Sequence, residues 1–153
     1  MRKHLGPDSA CSVARSLDLL GDKWMLLIVR EALVSGTTRF SDFKEALGIA
    51  PNILANRLDT LVEEGLMERH SYRERGARER SEYALTEAGK ALNVVIAGLA
   101  TWGRAKRPRE GGNSPAFTVG ATGEIAELAF VTADGRRVSP ECLVSTRVPD
   151  VPE

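Results

Sequence analysis

The sequence predicts a mainly α-helical domain with one β-hairpin, followed by a small β-rich extension. Three observations predict this class. Apolar residues recur at helical spacing through residues 9–64, two short extended stretches follow at 66–72 and 81–85, and helical spacing then returns as far as Trp102. Of the 153 residues, 42% are hydrophobic and 27% are charged, which is a globular composition. A chain of this length can bury a core without disulfides or structural metals.

Two helices are expected at the start of the chain. Residues 9–20 form an amphipathic pattern that Asp8 or Ser9 can cap and that a glycine ends. Asp22 is then placed to cap a second helix over residues 23–33. This second segment is apolar on nearly every side, which predicts a position in the middle of the domain.

Residues 40–47 and 51–64 are predicted to form a helix-turn-helix pair. Gly48 closes the first helix, and Pro51 is favoured at the first position of the second. The second helix carries an apolar stripe of Leu54, Leu58, Leu61 and Val62. Two helices joined by a short turn that contains glycine are typical of this motif.

A β-hairpin with an arginine-rich tip is predicted next. Its strands are the stretches 66–72 and 81–85. Residues 69–80 hold five arginines against two glutamates, although the formal net charge of the whole chain is zero. A local surplus of this kind indicates where an anionic partner docks. One further helix is expected from Thr86 to about Trp102.

The last third of the chain differs in amino-acid composition from the rest. Residues 1–103 are predicted to form one domain, and the prolines and glycines of 104–115 are typical of a linker. Residues 116–153 predict a small β-rich extension with a hairpin turn at Asp134-Gly135. The part of the chain from residue 111 onward is acidic, with three basic residues against six acidic ones.

The order helix, helix, helix-turn-helix, basic hairpin, helix is that of a winged helix-turn-helix. In such a domain the second helix of the motif enters the major groove of double-stranded DNA. With its leucines buried, the helix at Pro51 turns two asparagines outward, and asparagine can contact adenine in a bidentate manner. The residues predicted to read bases are Pro51, Asn52, Ile53, Ala55 and Asn56. The residues predicted to contact the DNA backbone are Arg39, Arg57, Arg73, Arg75, Arg78 and Arg80.

Several motifs resemble the HxlR-type transcriptional regulators, a MarR-like family of winged helix-turn-helix proteins. The similarity extends over about residues 10–103. One difference is that Ser81 precedes the Glu82-Tyr83 pair, where the family usually has proline and valine. The motifs are the stretch from Cys11 to Trp24, Arg39-Phe40-Ser41-Asp42-Phe43, Ile49-Ala50-Pro51-Asn52-Ile53-Leu54, Arg57-Leu58, Leu61, Glu64-Gly65-Leu66, Glu82-Tyr83, Leu85-Thr86-Glu87-Ala88-Gly89 and Trp102.

The resemblance implies a homodimeric regulator, expected to be a repressor, whose first and last helices form the dimer. A dimer predicts an inverted-repeat operator with half-sites about one helical turn, or a multiple of it, apart. The sequence of the last helix also favours a dimer, because its apolar stripe is larger than one small domain easily covers. The same stripe can instead close the core of the monomer. The predicted interface residues are Val13, Leu17, Leu92, Val95, Ile96, Leu99 and Trp102.

Cys11 is the candidate sensor residue. It is expected two or three positions past the cap of the first helix, where free N–H groups and the helix dipole are typical of a reactive cysteine. It matches a cysteine that in several members of the family senses oxidants, quinones or other electrophiles. The alternative is a small buried core residue, as most free cysteines are. Cys142, beside Pro140 in the extension, is a weaker candidate for a sensing role than Cys11.

No catalytic, cofactor or metal site is expected. His4 and His70 are isolated, and the sequence lacks a glycine-rich phosphate loop, a paired-carboxylate pattern and a nucleophile elbow. The basic N-terminus is not followed by an apolar segment of the secretory type, and the longest apolar run, 24–29, is too short to span a membrane. The expected location is the cytoplasm, with no membrane partner.

Two other functions remain open from the sequence alone. A winged helix can serve as a protein-interaction module, here with the acidic extension as a second docking surface. The extension can also cover a small-molecule pocket, with DNA binding secondary. The arginine-rich hairpin and the polar helix face favour DNA binding, because faces that dock proteins are more often apolar or aromatic.

Overall fold

The computed structural model describes residues 9–73, 76 and 79–146. The helices and strands follow one another in the predicted order, helices first, then a hairpin, then a helical segment and a β-rich extension, although the helical segment is divided into two helices. The elements are α1 Ser12–Leu20, α2 Lys23–Ser35, α3 Phe40–Leu47, α4 Pro51–Glu63, β1 Met67–Tyr72, β2 Arg80–Leu85, α5 Glu87–Lys90, α6 Asn93–Lys106, β3 Phe117–Thr118, β4 Ile125–Ala126, β5 Phe130–Val131, β6 Arg137–Val138 and a 3-10 turn at Pro140–Cys142. The predicted fold class, mainly α with a β-hairpin wing, is confirmed.

Local capping signals set most of the helix ends. The Asp22 carboxylate accepts a hydrogen bond from the backbone N–H of Trp24 at 2.8 Å and so caps α2. Gly36 and Gly48 end α2 and α3 with φ of +66° and +60°, a left-handed conformation that glycine adopts without strain. Pro51 occupies the first turn of α4, as its fixed φ favours.

The first helix begins three residues later than the sequence predicts. The Ser9 hydroxyl accepts a hydrogen bond from the backbone N–H of Cys11 at 3.2 Å, which satisfies that donor before the helix starts. The carbonyl of Cys11 then accepts the first helical bond, from the N–H of Arg15 at 3.0 Å. Cys11 is therefore the N-cap residue itself, and the expectation that it lies inside the first turn is corrected.

The single helix expected from Thr86 to Trp102 is in fact two helices. The Thr86 hydroxyl donates to the carbonyl of Gly65 at 2.6 Å and accepts from the N–H of Gly89 at 3.1 Å, which fixes α5 against the loop before β1. The N–H of Leu92 bonds back only three residues, to the carbonyl of Gly89 at 3.2 Å. The chain thus tightens after α5 and starts again as α6, which ends at Lys106.

One core lies among α2, α3, α4 and the β1–β2 hairpin. Six of its side chains, including those of Phe43 and Ile28, are completely inaccessible to solvent. The hairpin pairs antiparallel from Met67 opposite Leu85 to Tyr72 opposite Arg80. The core residues are Met25, Ile28, Val29, Phe43, Ile49, Leu54, Leu58, Leu61, Met67 and Tyr83.

A single β-bridge connects the hairpin to the segment before α3. The backbone N–H of Tyr83 donates to the carbonyl of Thr38 at 2.8 Å, and Arg39 forms an antiparallel bridge with Glu82. These bonds hold the hairpin at the start of α3, which is the arrangement of a wing beside a helix-turn-helix.

The chain divides into two compact units, and the boundary between Ile96 and Ala97 falls inside α6. The second unit contains two hairpins with strands of two residues each, and the predicted turn at Asp134-Gly135 is present between β5 and β6. Among the residues of this unit that the structure describes, none is buried. No helix in the described ranges is long and apolar enough to cross a membrane.

Candidate nucleic-acid interface

The second helix of the motif, α4, has a fully buried side and an exposed side. Leu54, Leu58 and Leu61 are inaccessible to solvent and hold the helix in the core. Asn52 and Asn56 are exposed on the opposite side. Of the other residues predicted to read bases, Pro51 is exposed, Ile53 is 37% exposed and Ala55 is half-buried. The helical phase predicted for the recognition face is therefore the phase that the structure has.

The N-terminus of α4 presents backbone donors on this exposed side. Its N-cap residue is Ala50, which has no side chain able to cap the helix, and Pro51 follows it. The carbonyl of Ala50 accepts from the N–H of Leu54 at 3.0 Å, the first bond of the helix. A helix that starts without a side-chain cap leaves N–H groups and the positive end of its dipole for an anion such as phosphate.

Asp22 and Arg57 join the start of α2 to the middle of α4. The Asp22 Oδ2 atom accepts from Nε of Arg57 at 2.9 Å and from Nη2 at 2.5 Å. The other Asp22 oxygen, Oδ1, accepts the capping bond from Trp24. The hydrogen bond from the Trp24 backbone, together with the Arg57 guanidinium, lowers the pKa of Asp22 below its ordinary value. One carboxylate thus caps one helix and holds another.

Arg57 also reaches the recognition face. Its Nη1 donates to Oδ1 of Asn56 at 3.4 Å, a long bond between exposed groups. A recess of about 440 Å³ beside this contact is lined by residues of both helices. These residues are Asp22, Trp24, Asn52, Ile53, Asn56 and Arg57. The aspartate that positions Arg57 was not among the site residues that the sequence predicts.

The arginines predicted to contact the DNA backbone lie in different environments. Arg39 is exposed, with its guanidinium 4.9 Å from the centre of the Tyr72 ring at the tip end of β1. Arg73 and Arg80 are exposed at the two ends of the hairpin strands. Arg57 is about one-third exposed and forms an ion pair with Asp22. The predicted contacts of Arg75 and Arg78 lie outside the described residues.

A second ion pair ties the wing to α4. Arg69 of β1 donates to Asp59 of α4, and its guanidinium lies 5.4 Å from the centre of the Tyr83 ring. Both members of the pair are about half exposed. Of the five arginines in the basic stretch, Arg69 thus serves to position the wing.

The residues predicted for the dimer interface divide by exposure. Ile96 is only 5% exposed and Leu92 packs against the core, so both serve the interior of their own chain. Val94, which the sequence did not single out, is 59% exposed. The predicted interface residues that remain exposed are Val13 at 63%, Leu17 at 56%, Val95 at 37%, Leu99 at 51% and Trp102 at 56%.

Cys11 is an exposed, free cysteine at the N-cap of α1. Its side chain makes no capping hydrogen bond. The alternative interpretation, a small buried core residue, is therefore wrong. Cys142 is also free and exposed.

A family model described as HxlR-like helix-turn-helix matches residues 19–110, well over half of the chain. The protein belongs to this family. It is a transcriptional regulator with a helix-turn-helix DNA-binding fold. An uncharacterised HTH-type transcriptional regulator of Mycobacterium tuberculosis is 39% identical to it over 136 residues, which cover 85% of this chain and 84% of that protein.

Solved structures of similar proteins agree with the family. PA1607, described as a transcription factor, is 34% identical with a TM-score of 0.76, and the match covers 93% of this chain and 98% of that one. A match of this extent includes much of the extension beyond α6. The redox regulator HypR in its reduced form is 28% identical with a TM-score of 0.55, and the match covers 63% of this chain and 94% of that one.

Proposed function

We propose that the protein is a repressor that binds an inverted-repeat operator as a homodimer. Modification of the Cys11 thiol, or a small ligand, releases it from DNA. The observation that carries this proposal is the division of α4, with three inaccessible leucines on one side and Asn52 and Asn56 exposed on the other. A helix of this kind next to a basic wing supports insertion into the major groove.

Base reading by α4 is tested with single alanine variants of Asn52 and Asn56. A DNA-selection experiment with the purified full chain first gives the preferred site. Each variant is then expected to lose about 1–3 kcal/mol of discrimination at particular positions of that site. Glu63→Ala, an exposed change at the far end of α4, is the matched control. Unchanged sequence preference in both asparagine variants would contradict this docking of α4.

The wing is proposed to grip the DNA backbone through Arg73 and Arg80, together with Arg75 and Arg78. Arginines that neutralise phosphates release counterions, so their contribution weakens as salt rises. Arg80→Gln is expected to weaken binding to all sequences and to reduce the salt slope by about one. Arg137→Gln removes an equal charge from the exposed β6 strand and serves as control. A salt slope that both variants change equally would argue against a contact by the wing.

The dimer is proposed to form through the exposed apolar residues of α1 and α6. Six such side chains, Val94 included and each 37% or more exposed, would remain in water in a monomer, and a two-fold pairing would remove them from it. Sedimentation of the full chain is expected to show a dimer that Leu99→Asp weakens. Val34→Asp, at a position 49% exposed on α2, should leave the dimer intact.

We propose repression because a protein that binds across a promoter excludes the polymerase without further contacts. A run-off transcription assay on the selected operator is expected to show less transcript as the protein is added. More transcript under the same conditions would identify an activator instead.

The exposed thiol of Cys11 supports the sensing step, as does the similarity to HypR, a redox regulator solved in reduced and oxidised forms. In alkylation by a quinone, Sγ bonds to a ring carbon, and the electron pair of the attacked double bond moves to the carbonyl oxygen. That oxygen takes up the thiol proton. The attacked ring carbon then gives its own proton to the medium while the second carbonyl oxygen takes one up, so the product is a hydroquinone thioether. A bulky group at the N-cap of α1 is then expected to tilt the dimer helices and to change the spacing of the recognition helices.

Loss of operator binding on quinone treatment is measured for the full chain and two variants. Cys11→Ser should abolish the response, whereas Cys142→Ser, which removes the other exposed thiol, should retain it. A response that persists in Cys11→Ser would remove this residue from the mechanism. If the wild-type protein does not respond to quinone, thiol modification is excluded as the signal and release by a small ligand remains.

A further inference from the structure

The start of α2 places a lysine close to the recognition face of α4. Lys23 is the first residue of the helix and is exposed, and its Nζ atom lies 4.8 Å from the centre of the Trp24 ring. Trp24 packs against the core and lines the recess that Asn52 and Asn56 also line. One aromatic ring thus links the lysine charge to the helix face that we assign to base reading.

The ring of Trp24 restricts where this charge can be. An ammonium group is attracted to the face of an aromatic ring by the ring quadrupole. A lysine side chain that is free in water has many rotamers and loses their entropy when it binds an anion. The contact with Trp24 limits the rotamers of Lys23 before binding, and groups that are ordered in advance bind more tightly.

Two cations, Lys23 and Arg57, lie on this side of α4 and differ in their partners. Both Nε and Nη2 of Arg57 donate to the Asp22 carboxylate, so these two charges neutralise each other. Lys23 forms no ion pair with any residue that the structure describes. Lys23 therefore carries the net charge at the start of α2, although the sequence predicts Arg57 as the contact to the DNA backbone.

Lys23 and the wing lie on opposite flanks of α4. Successive residues of a helix are rotated by about 100°, so Arg57 lies about 100° to one side of Asn56 and Asp59 about 60° to the other. On the first side, Arg57 is bound to the residue that precedes Lys23. On the second side, Asp59 is bound to Arg69 of β1. The exposed amide of Asn56 lies between these two attachments.

The major groove is about as wide as the helix that enters it. The groove measures about 12 Å across, and a helix with its side chains is about 10–12 Å in diameter. Groups on both flanks of an inserted helix therefore meet the phosphates on both edges of the groove. We infer that Lys23 contacts the phosphate backbone on the edge of the groove opposite to the edge that the wing contacts. The inference rests on the docking of α4 proposed above and assigns to that interface a residue on its second flank.

The salt dependence of operator binding tests the contact. Lys23→Gln is expected to weaken binding to every sequence about three- to tenfold at about 0.1 M salt and to lower the salt slope by about one for each bound copy of the chain. Sequence preference should stay the same, because a phosphate carries no sequence information. Lys23→Arg keeps the charge and can stack on the same ring, so it should retain both the affinity and the slope.

Lys90→Gln is the matched control for this charge. Lys90 is an exposed lysine of α5, which follows the strand end opposite to the tip of the hairpin. Its replacement lowers the net charge of the chain by the same amount and should change the salt slope much less. Circular dichroism checks that both variants are folded. A Lys23→Gln variant with the same affinity and salt slope as Lys90→Gln would overturn the inference.

Neutral phosphates in the DNA locate the contact. Methylphosphonate linkages, which lack the negative charge, are placed one at a time along the selected site. One linkage is expected to weaken wild-type binding about threefold or more and to have no effect on Lys23→Gln. It should lie across the major groove from the linkages whose effect is lost in Arg80→Gln. A position on the same edge as those linkages, or no position that depends on Lys23, would overturn the inference.

The same set of variants separates this inference from the function proposed above. If DNA selection with the wild-type chain returns no preferred site, the docking of α4 and the contact by Lys23 are both overturned. If a site is found and Asn52→Ala or Asn56→Ala relaxes its sequence preference, the docking stands. Lys23→Gln then overturns only the contact by Lys23 if it binds as the control does.

Discussion

Replacing Asp22 by alanine removes two interactions whose costs the structure separates. The first is the cap of α2, a 2.8 Å hydrogen bond from the N–H of Trp24. The loss of an N-cap side chain costs about 1 kcal/mol. The second is the pair with Arg57, in which both side chains are about one-third exposed. An exposed ion pair contributes about 0.2–1 kcal/mol. The expected cost of Asp22→Ala is therefore about 1.2–2 kcal/mol of unfolding free energy.

Asp22→Asn isolates the second interaction, because asparagine keeps an oxygen that caps the helix and loses only the charge. Its expected cost is about 0.5 kcal/mol. The free energy of unfolding is measured by urea titration at one fixed protein concentration, with Arg57→Gln and the double variant completing the cycle. If Asp22→Asn costs as much as Asp22→Ala, the division between cap and ion pair is wrong.

The dependence of this cost on pH has a definite sign. The pKa of Asp22 in the folded protein lies below the ordinary value of 3.8, so folding favours the charged carboxylate. Its contribution is fully present above the ordinary pKa and is lost as the pH falls through the lower, folded-state pKa. The difference between wild type and Asp22→Asn should therefore be constant near neutral pH and shrink in acid below about pH 4. A difference that grows in acid would refute the assignment.

Two further substitutions test the turn that separates α5 from α6. A Cβ at Gly89 would lie 2.1 Å from the carbonyl oxygen of Leu66, so Gly89→Ala should cost about 2–3 kcal/mol in urea unfolding. Gly103→Ala in α6 meets nothing within 4 Å and should stabilise the protein by up to about 1 kcal/mol, which makes it the control. Thr86→Val removes the hydroxyl that bonds Gly65 and Gly89 and should cost about 1 kcal/mol, and no change in unfolding would contradict its role as a cap.

Elements whose ends depend on neighbouring residues were predictable from the sequence. The third helix spans Phe40–Leu47 as expected, because Gly48 supplies the left-handed residue that closes it. Pro51 likewise sets the start of α4, and the spacing of its leucines sets the helical phase. The exposed position of Asn52 and Asn56 follows from that phase alone, so the recognition face was predictable before any contact was known.

Features that depend on residues distant in the chain were not predictable in this way. Nothing between Lys90 and Asn93 breaks a helix by itself, and the turn there forms because Thr86 and Gly89 are held against the loop at Gly65. The pair Asp22–Arg57 spans 35 residues. The sequence shows Asp22 only as a cap, because an aspartate before a helix needs no second partner to explain it.

Variants of the pair Asp22–Arg57 can test whether a movement of α1 is transmitted to the recognition helix α4. Only Gly21 separates the end of α1 from Asp22, and the N–H of Gly21 donates to the carbonyl of Leu17 at 2.8 Å. If modification of Cys11 tilts α1, as proposed, the tilt would therefore move Asp22 and, through Arg57, α4. Coupling between two sites requires such a physical link that both sites bias.

Asp22→Asn is expected to weaken this coupling. The measured quantity is the ratio of operator dissociation constants after and before quinone treatment, because a ratio cancels any effect of the variant on DNA binding itself. Asp18→Asn, an equal loss of charge on the exposed side of α1, is the control and should keep the wild-type ratio. The ratio in Asp22→Asn should fall toward one, since an amide holds the guanidinium of Arg57 less firmly than a carboxylate does. An unchanged ratio in Asp22→Asn would show that the signal reaches α4 by another route, such as a rigid movement of the whole dimer.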